Sequence, residues 1–272
     1  MTDATLRIGC QTYTWEMLGD AFKGDARDLT RMIAEGGYEG IEITDTMIGD
    51  FASAPADFAR QLADVGLTLT AFGFGSSSGF TQRGELARDL DTTRRWLDFV
   101  ARFPGTVLSL GSATVVDSTP RDEMLAVAAE FYNKAWQLGS EAGVTVAIHP
   151  SSHDGTLLLT RKDYDDIFAR LDAQVGWVPD TGHILRGGQT MADTLAAFHE
   201  RIRYVHLKDV DAHGTWSILG KGICDVPAVI AAARKAPHFN GWVVVEEESE
   251  ESGKAPAVAV KNNRDTMRRL GF

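Results

Sequence analysis

Eight short apolar, β-branched runs recur along this chain, and each is followed by a stretch with helical periodicity. The predicted strands are Leu6–Cys10, Gly40–Ile43, Thr68–Phe74, Thr106–Leu110, Val144–His149, Val175–Val178, Ile202–Leu207 and Trp242–Glu246. The predicted helices are Ala26–Glu35, Ala56–Val65, Gly84–Arg102, Arg121–Ala142, Lys162–Leu171, Met191–Glu200, Val226–Arg234 and Ala257–Arg269. Repeated strand-then-helix units make successive strands parallel, because the helix carries the chain back before the next strand begins. Many of the runs are apolar throughout rather than alternating, which suits a sheet covered by helices. Eight such units in 272 residues predict an α/β fold with a single (β/α)₈ barrel over 1–272, for which about 250 residues is typical. An open, doubly wound sheet is the rival. It requires a glycine-rich turn after the first strand, and Gly9-Cys-Gln-Thr-Tyr-Thr-Trp15 is not one.

Several boundaries carry their own chemistry. Ser118-Thr-Pro-Arg-Asp-Glu supplies a cap, an early proline and first-turn acids to the fourth helix. Thr160 with Asp163 reads as a capping box, and Gly36-Gly37 and Gly139 as helix stops. No linker or low-complexity block divides the chain.

A net charge of −11 argues against a nucleic-acid partner, since phosphate binding needs a basic face. Cys10 and Cys224 give neither a disulfide framework nor a metal knuckle. The first residues carry no basic-then-apolar leader, and no apolar run is long enough for a membrane span. The expectation is a cytoplasmic, soluble protein acting on a small molecule.

In such a barrel, active-site groups come from the C-terminal ends of the strands. Those ends offer Gln11 and Trp15, Glu42 and Asp45, Phe74, Ser109 and Ser112, His149 and His153, Asp180 and His183, His206 and Lys208, and Glu246. Metal-competent side chains concentrate in the second half. We read His149, Asp180, His206 and Glu246 as ligands of one divalent cation. Carboxylates with imidazoles favour Mn²⁺, Mg²⁺, Co²⁺, Fe²⁺ or Zn²⁺ over thiophilic metals without choosing among them, and Mn²⁺ is our first choice. Each residue has a plainer reading. His206 alone could be a structural histidine, Asp180 an Asx-turn residue, and Glu246 the start of a solvated charge run. Three of them at three consecutive strand ends favour function. Glu247, Glu248, Glu250 and Glu251 are expected in an exposed loop.

His183 is expected to contact a substrate oxygen or donate a proton. Lys208 shares a face with His206 by strand alternation and could polarise the substrate, with a surface salt bridge as the alternative. Trp15, Phe72 and Phe74 are candidates for an apolar wall, and Glu42 for a contact to sugar hydroxyls.

These residues resemble the xylose isomerase-like TIM-barrel superfamily, which includes sugar-phosphate isomerases/epimerases, inosose dehydratases and endonuclease IV. The resemblance rests on Asp180-Thr-Gly-His183, Val205-His206-Leu-Lys-Asp209, Gly220-Lys-Gly222 with Asp225, Gly241-Trp-Val-Val-Val-Glu246 and Gly37-Tyr-Glu-Gly-Ile-Glu42. It implies a divalent metal bound by Glu, Asp, His and Glu, with Asp180, His206 and Glu246 in the last three places. The first place departs from the pattern: Ala147-Ile-His149-Pro-Ser-Ser-His153-Asp-Gly-Thr156 resembles the inosose dehydratase type, and either His149 or His153 could face the metal, His149 being our choice. It also implies a homo-oligomer and a sugar or polyol substrate.

Losing the first glutamate removes a symmetric two-carboxylate proton shuttle. A one-sided mechanism remains, in which Glu246 or a histidine takes a proton α to a ketone and an imidazolium (His149, His153 or His183) helps expel a β-hydroxyl. That chemistry is a dehydratase or lyase reaction on an inosose, other keto-polyol or 3-keto-glycoside, with Glu246, His149, His183 and Lys208 catalytic. Trp15, Glu42, Phe74, His153, His183 and Lys208 would bind substrate. The alternatives are a sugar (phosphate) isomerase/epimerase and a non-catalytic sugar-binding barrel. An endonuclease IV-like role conflicts with the charge and with the lack of any histidine before His149.

Overall fold

The computed structural model describes residues 5–272. One parallel sheet contains β1 (Arg7–Gln11), β2 (Gly40–Thr44), β3 (Thr68–Phe74), β4 (Val107–Leu110), β5 (Thr145–Ile148), β6 (Gly176–Trp177), β7 (Val205–Leu207) and β10 (Trp242–Val245). An antiparallel ribbon of β8 (Asp209–Val210) and β9 (Trp216–Ser217) lies between the last two in sequence. Neighbours run β6-β5-β4-β3-β2-β1-β10-β7. The outermost strands then meet through parallel bridges, Trp177 with Ile202 and Asp180 with His206. The Arg203 and His206 N–H groups donate across this seam to the Trp177 and Pro179 carbonyls at 3.0 and 2.9 Å. The sheet closes, as the eight predicted units require.

Strand alternation sorts the side chains into two cores. Outward residues such as Phe72, Leu108, Ile148, Trp177 and Val243 pack against the helices in one large cluster. Phe72, for example, lies 4.7 Å from Trp96 and 5.2 Å from Phe99, ring to ring. Inward residues form a separate plug of Ala71, Val107, Ala147, Val178, Tyr204, Trp242 and Val244. Two residues further along these strands, still facing inward, come Gly73, Ser109, His149, Asp180, His206 and Glu246. The plug is therefore the floor on which the polar layer stands.

Two expectations are corrected at the boundaries. The helix Arg121–Ala142 runs through Gly139 and ends at Gly143, whose φ of 69° suits a left-handed cap. Gly139 instead permits close helix–sheet contact, since a Cβ there would lie 2.8 Å from the Val144 carbonyl oxygen and closer to Val146. Neither Ser118 nor Thr119 caps this helix; Pro120 occupies the N-cap position with no side-chain bond. The Thr160–Asp163 capping box forms as expected. Three short helices escape the periodicity analysis: Tyr13–Glu16, Thr181–Arg186 and Glu250–Lys254, each too short to show a period.

After β7 the chain turns around a buried carboxylate. Asp209 accepts from the backbone N–H groups of Val210, Gly220, Gly222 and Cys224 at 2.9–3.0 Å. This fixes the β8–β9 ribbon over the rim. Among the described residues no helix is long and apolar enough to cross a membrane.

The plug leaves no room at the start of β2. A Cβ on Gly40 would approach the Trp242 ring to 2.8 Å and Thr70 more closely still. Gly40→Ala should lower stability by about 1–3 kcal/mol through overpacking, seen as a lower urea midpoint at unchanged slope. An unchanged midpoint would show that the floor is loosely packed.

Candidate metal centre and substrate cavity

Four consecutive rim positions converge. His149 follows β5, Asp180 follows β6, His206 sits in β7 and Glu246 follows β10. One donor atom from each lies within 4.8 Å of all the others. Donors about 2.1 Å from a common cation stand about 3.0–4.2 Å apart in an octahedron, so the spacing fits one ion. His149 Nε2, Asp180 Oδ2, His206 Nδ1 and Glu246 Oε2 are also all buried with no hydrogen-bond partner outside this group, in which His206 Nδ1 stands 2.6 Å from Glu246 Oε2. Buried polar atoms are normally satisfied, and four orphans facing one point indicate a missing cation partner.

The other atom of each of three groups is held. Asp180 Oδ1 caps the helix Thr181–Arg186 by accepting the His183 N–H at 2.9 Å, which leaves Oδ2 free. Asp180 is thus both the turn residue and a donor. His206 Nε2 is 2.7 Å from Glu42 Oε2, so the ring is oriented with Nδ1 toward the centre. Glu246 Oε1 accepts from Lys208 Nζ at 2.6 Å, leaving Oε2 for the centre. Thr181 Oγ1 stitches the ends of β6 and β7 together, donating to the Lys208 carbonyl at 2.6 Å and accepting its N–H at 2.9 Å.

The electrostatics match. Burial opposes the charged form of Asp180, yet Lys208, His183, His149 and His206 hold its carboxyl well below the usual range. Burial is likewise overcome at Glu246 by Lys208 and His206. Burial disfavours an imidazolium at His206, but Glu42, Asp180 and Glu246 raise its pKa well above the ordinary value. Negative potential is therefore focused where a cation would sit.

Lys208 is not a surface residue. It is 1% exposed, with Nζ 3.0 Å from Glu248 Oε1 and 4.8 Å from the Trp216 ring centroid. His153 stands apart from the first four donors and places Nε2 3.2 Å from Glu248 Oε1. Glu247 and Glu248 are buried, at 2% and 8% exposed, which corrects the expected exposed loop. Glu247 accepts from Ser249 N and Asn263 Nδ2. Glu248 shares the inward face with Glu246 by the two-residue period, a signal present in the sequence but masked by the acidic run.

His183 has a defined tautomer. The Ser152 backbone N–H lies 3.0 Å from His183 Nδ1, and its hydroxyl 2.8 Å. A backbone N–H only donates, so Nδ1 accepts, and the proton of the neutral ring is on Nε2. Burial and then Lys208 push the pKa of this ring well below its ordinary value. The ring is therefore held neutral, which corrects the expectation of an imidazolium acid at His183, and the Lys208 ammonium stands 3.3 Å from its Nε2.

A cavity of about 410 Å³ opens onto the centre. Its far wall comes from the first half of the barrel: Tyr13, Glu16, Thr44, Asp45, Phe74 and Ser76 are among its lining. Glu42 and Phe74 line it as expected. Trp15 does not: at 2% exposed it packs in the helix-side core with Phe72, and Tyr13 takes its place. Neither Lys nor Arg is among the cavity's lining residues.

Removing the Asp180 carboxylate should abolish tight binding of a divalent ion by equilibrium dialysis. Glu42→Gln, which removes the carboxylate charge 2.7 Å from His206 Nε2, should weaken it about 10–100-fold. Unchanged affinity in Asp180→Ala would mean the ion binds elsewhere.

The family model for the xylose isomerase-like TIM barrel matches residues 31–270. Inosose dehydratase from Geobacillus kaustophilus is 24% identical over 97% of this chain and 94% of its own length. Among solved structures, the IolI protein with a bound zinc atom superposes with a TM-score of 0.78 at 16% identity, covering 96% of each chain. The 3-keto-D-glucoside 4-epimerase of E. coli gives 0.76 at 19% identity, covering 97% of this chain and 100% of that one. At these identities the structural likeness speaks for the fold alone, whereas the family model spans most of the sequence. The chain belongs to the xylose isomerase-like TIM-barrel family.

Proposed function

We propose that this protein is a divalent-metal-dependent lyase that removes a proton α to a ketone of an unphosphorylated keto-polyol and expels a β-hydroxyl. The observation that carries the reading is the set of four buried, converging donors on His149, Asp180, His206 and Glu246, without partners outside the group, at the head of the cavity. A divalent ion held there, Mn²⁺ first among the candidates, supplies Lewis-acid polarisation of a ketone and its neighbouring hydroxyl.

The chain's own groups divide the rest. Glu246, held ionised by Lys208 and His206, accepts the α proton. The C–H electron pair moves into the new C=C bond as the β C–O bond breaks. His183 donates its Nε2–H to a substrate oxygen. With His149 Nε2 among the cation donors and His183 neutral, His153 is the imidazole left to give the departing hydroxyl its proton, so that it leaves as water. Thr44, Thr46 and Ser76, whose hydroxyls donate to Glu16 and Asp89, can accept from the remaining sugar hydroxyls, and a cavity wall without Lys or Arg disfavours a phosphate.

The relatives named inosose dehydratase support this reading, as does the imidazole in place of a first-ligand carboxylate. Epimerisation is the second reading, favoured by the likeness to sugar epimerases.

Metal-stripped protein should be inactive toward scyllo-inosose and regain activity with Mn²⁺, followed by enone absorbance. Glu246→Gln should lower kcat by about 10²–10⁴-fold. Deuterium washing from solvent into recovered substrate without loss of water would replace the lyase with the epimerase. No turnover or exchange with inososes or 3-keto-sugars would overturn both.

A further inference from the structure

Beyond the four donors, the rim carries a second group able to hold a cation: His153, His183 and Glu248 place one donor atom each within 4.8 Å of one another. Glu248 Oε2 is buried and has no partner. Into this group projects the Lys208 ammonium, 2.6 Å from Glu246 Oε1, 3.0 Å from Glu248 Oε1, 3.3 Å from His183 Nε2 and 3.7 Å from Asp180 Oδ2. The Glu246 carboxylate is split between the two positions, Oε2 toward the first centre and Oε1 toward the ammonium.

We propose that Lys208 fills a second cation position of this centre with the chain's own ammonium, so that Glu246 bridges a divalent ion on one side and a fixed monovalent cation on the other. The inference rests on the first site holding a metal, but not on which reaction the site performs. It follows from charge and geometry together. Glu42, Asp180, Glu246 and Glu248 are four buried carboxylates around this centre, and one divalent ion offsets only half of their charge. An ammonium at the end of a buried side chain offsets part of the remainder and cannot dissociate. It also keeps the centre mononuclear by occupying the space between Glu246 and Glu248. Without it, Glu246 Oε1, Glu248 and His153 Nε2 are the donors left to bind an ion; His183, whose Nε2 carries a proton, is not needed as a ligand.

Lys208→Ala should therefore bind one more equivalent of Zn²⁺ or Mn²⁺ per chain than the unaltered protein, counted by elemental analysis after dialysis. The double variant Lys208→Ala, Glu248→Gln should bind that extra ion at least 10-fold more weakly. An equal metal count in the unaltered protein and Lys208→Ala overturns the proposal. The count in the unaltered protein separately tests the first site. If Lys208→Ala is unfolded when metal-free, Zn²⁺ refolding it at an at least 10-fold lower concentration than the double variant, read by circular dichroism, supports the second position, and an equal Zn²⁺ requirement of the two variants overturns it.

Discussion

The arrangement depends on burying several carboxylates in one place. Asp180 and Glu246 are 1% and 4% exposed, and Glu42 and Glu248 are buried beside them. Each such charge costs several kcal/mol to remove from water unless it is paired. The barrel meets this cost with groups that are themselves buried: His206 against Glu42, the Lys208 ammonium against Glu246 and Glu248, and the His183 N–H against Asp180. What is left over is one oxygen or nitrogen on each of four residues, all aimed at a common point. Metal affinity and rim stability are consequently linked, since an ion that binds only the folded state stabilises it.

The two halves of the barrel take different tasks because of what stands one strand-step above the plug. From β5 onward that step is His149, Asp180, His206 and Glu246, and it builds a cation centre. On β3 and β4 the same step is Gly73 and Ser109, and with Glu42 and Thr44 of β2 it builds space and hydrogen-bonding groups. Small residues there leave room for a substrate whose reacting atoms lie off the barrel axis. The cavity is thus asymmetric for the same reason that the floor is continuous: a period of two along every strand.

The fixed tautomer of His183 shows how the loops refine this chemistry. The backbone of Ser152, on the loop after β5, decides which ring nitrogen carries the proton of a histidine in the short helix after β6. Buried beside Lys208, that ring stays neutral and serves as a donor. His153, 44% exposed on its side chain and paired with Glu248, is the more open of the two.

Strand–helix alternation made the barrel legible before any coordinate, because eight parallel units in a chain of this length have few ways to bury their faces. The donors Asp180, His206 and Glu246 were legible for a related reason: each ends an apolar run, so burial and strand-end position follow from local pattern. The choice of His149 over His153 for the cation group did not follow, since both lie on one loop and only the position of Asp180 Oδ2, 3.5 Å from His149 Nε2, separates them. Nor did Glu248, hidden in an acidic run that also holds the exposed Glu250 and Glu251, or the exchange of Trp15 for Tyr13 in the cavity wall, which a single turn of helix after β1 brings about. Local sequence determined which residues reach the rim. Closure of the sheet, which joins residues far apart in the chain, decided which of their atoms meet.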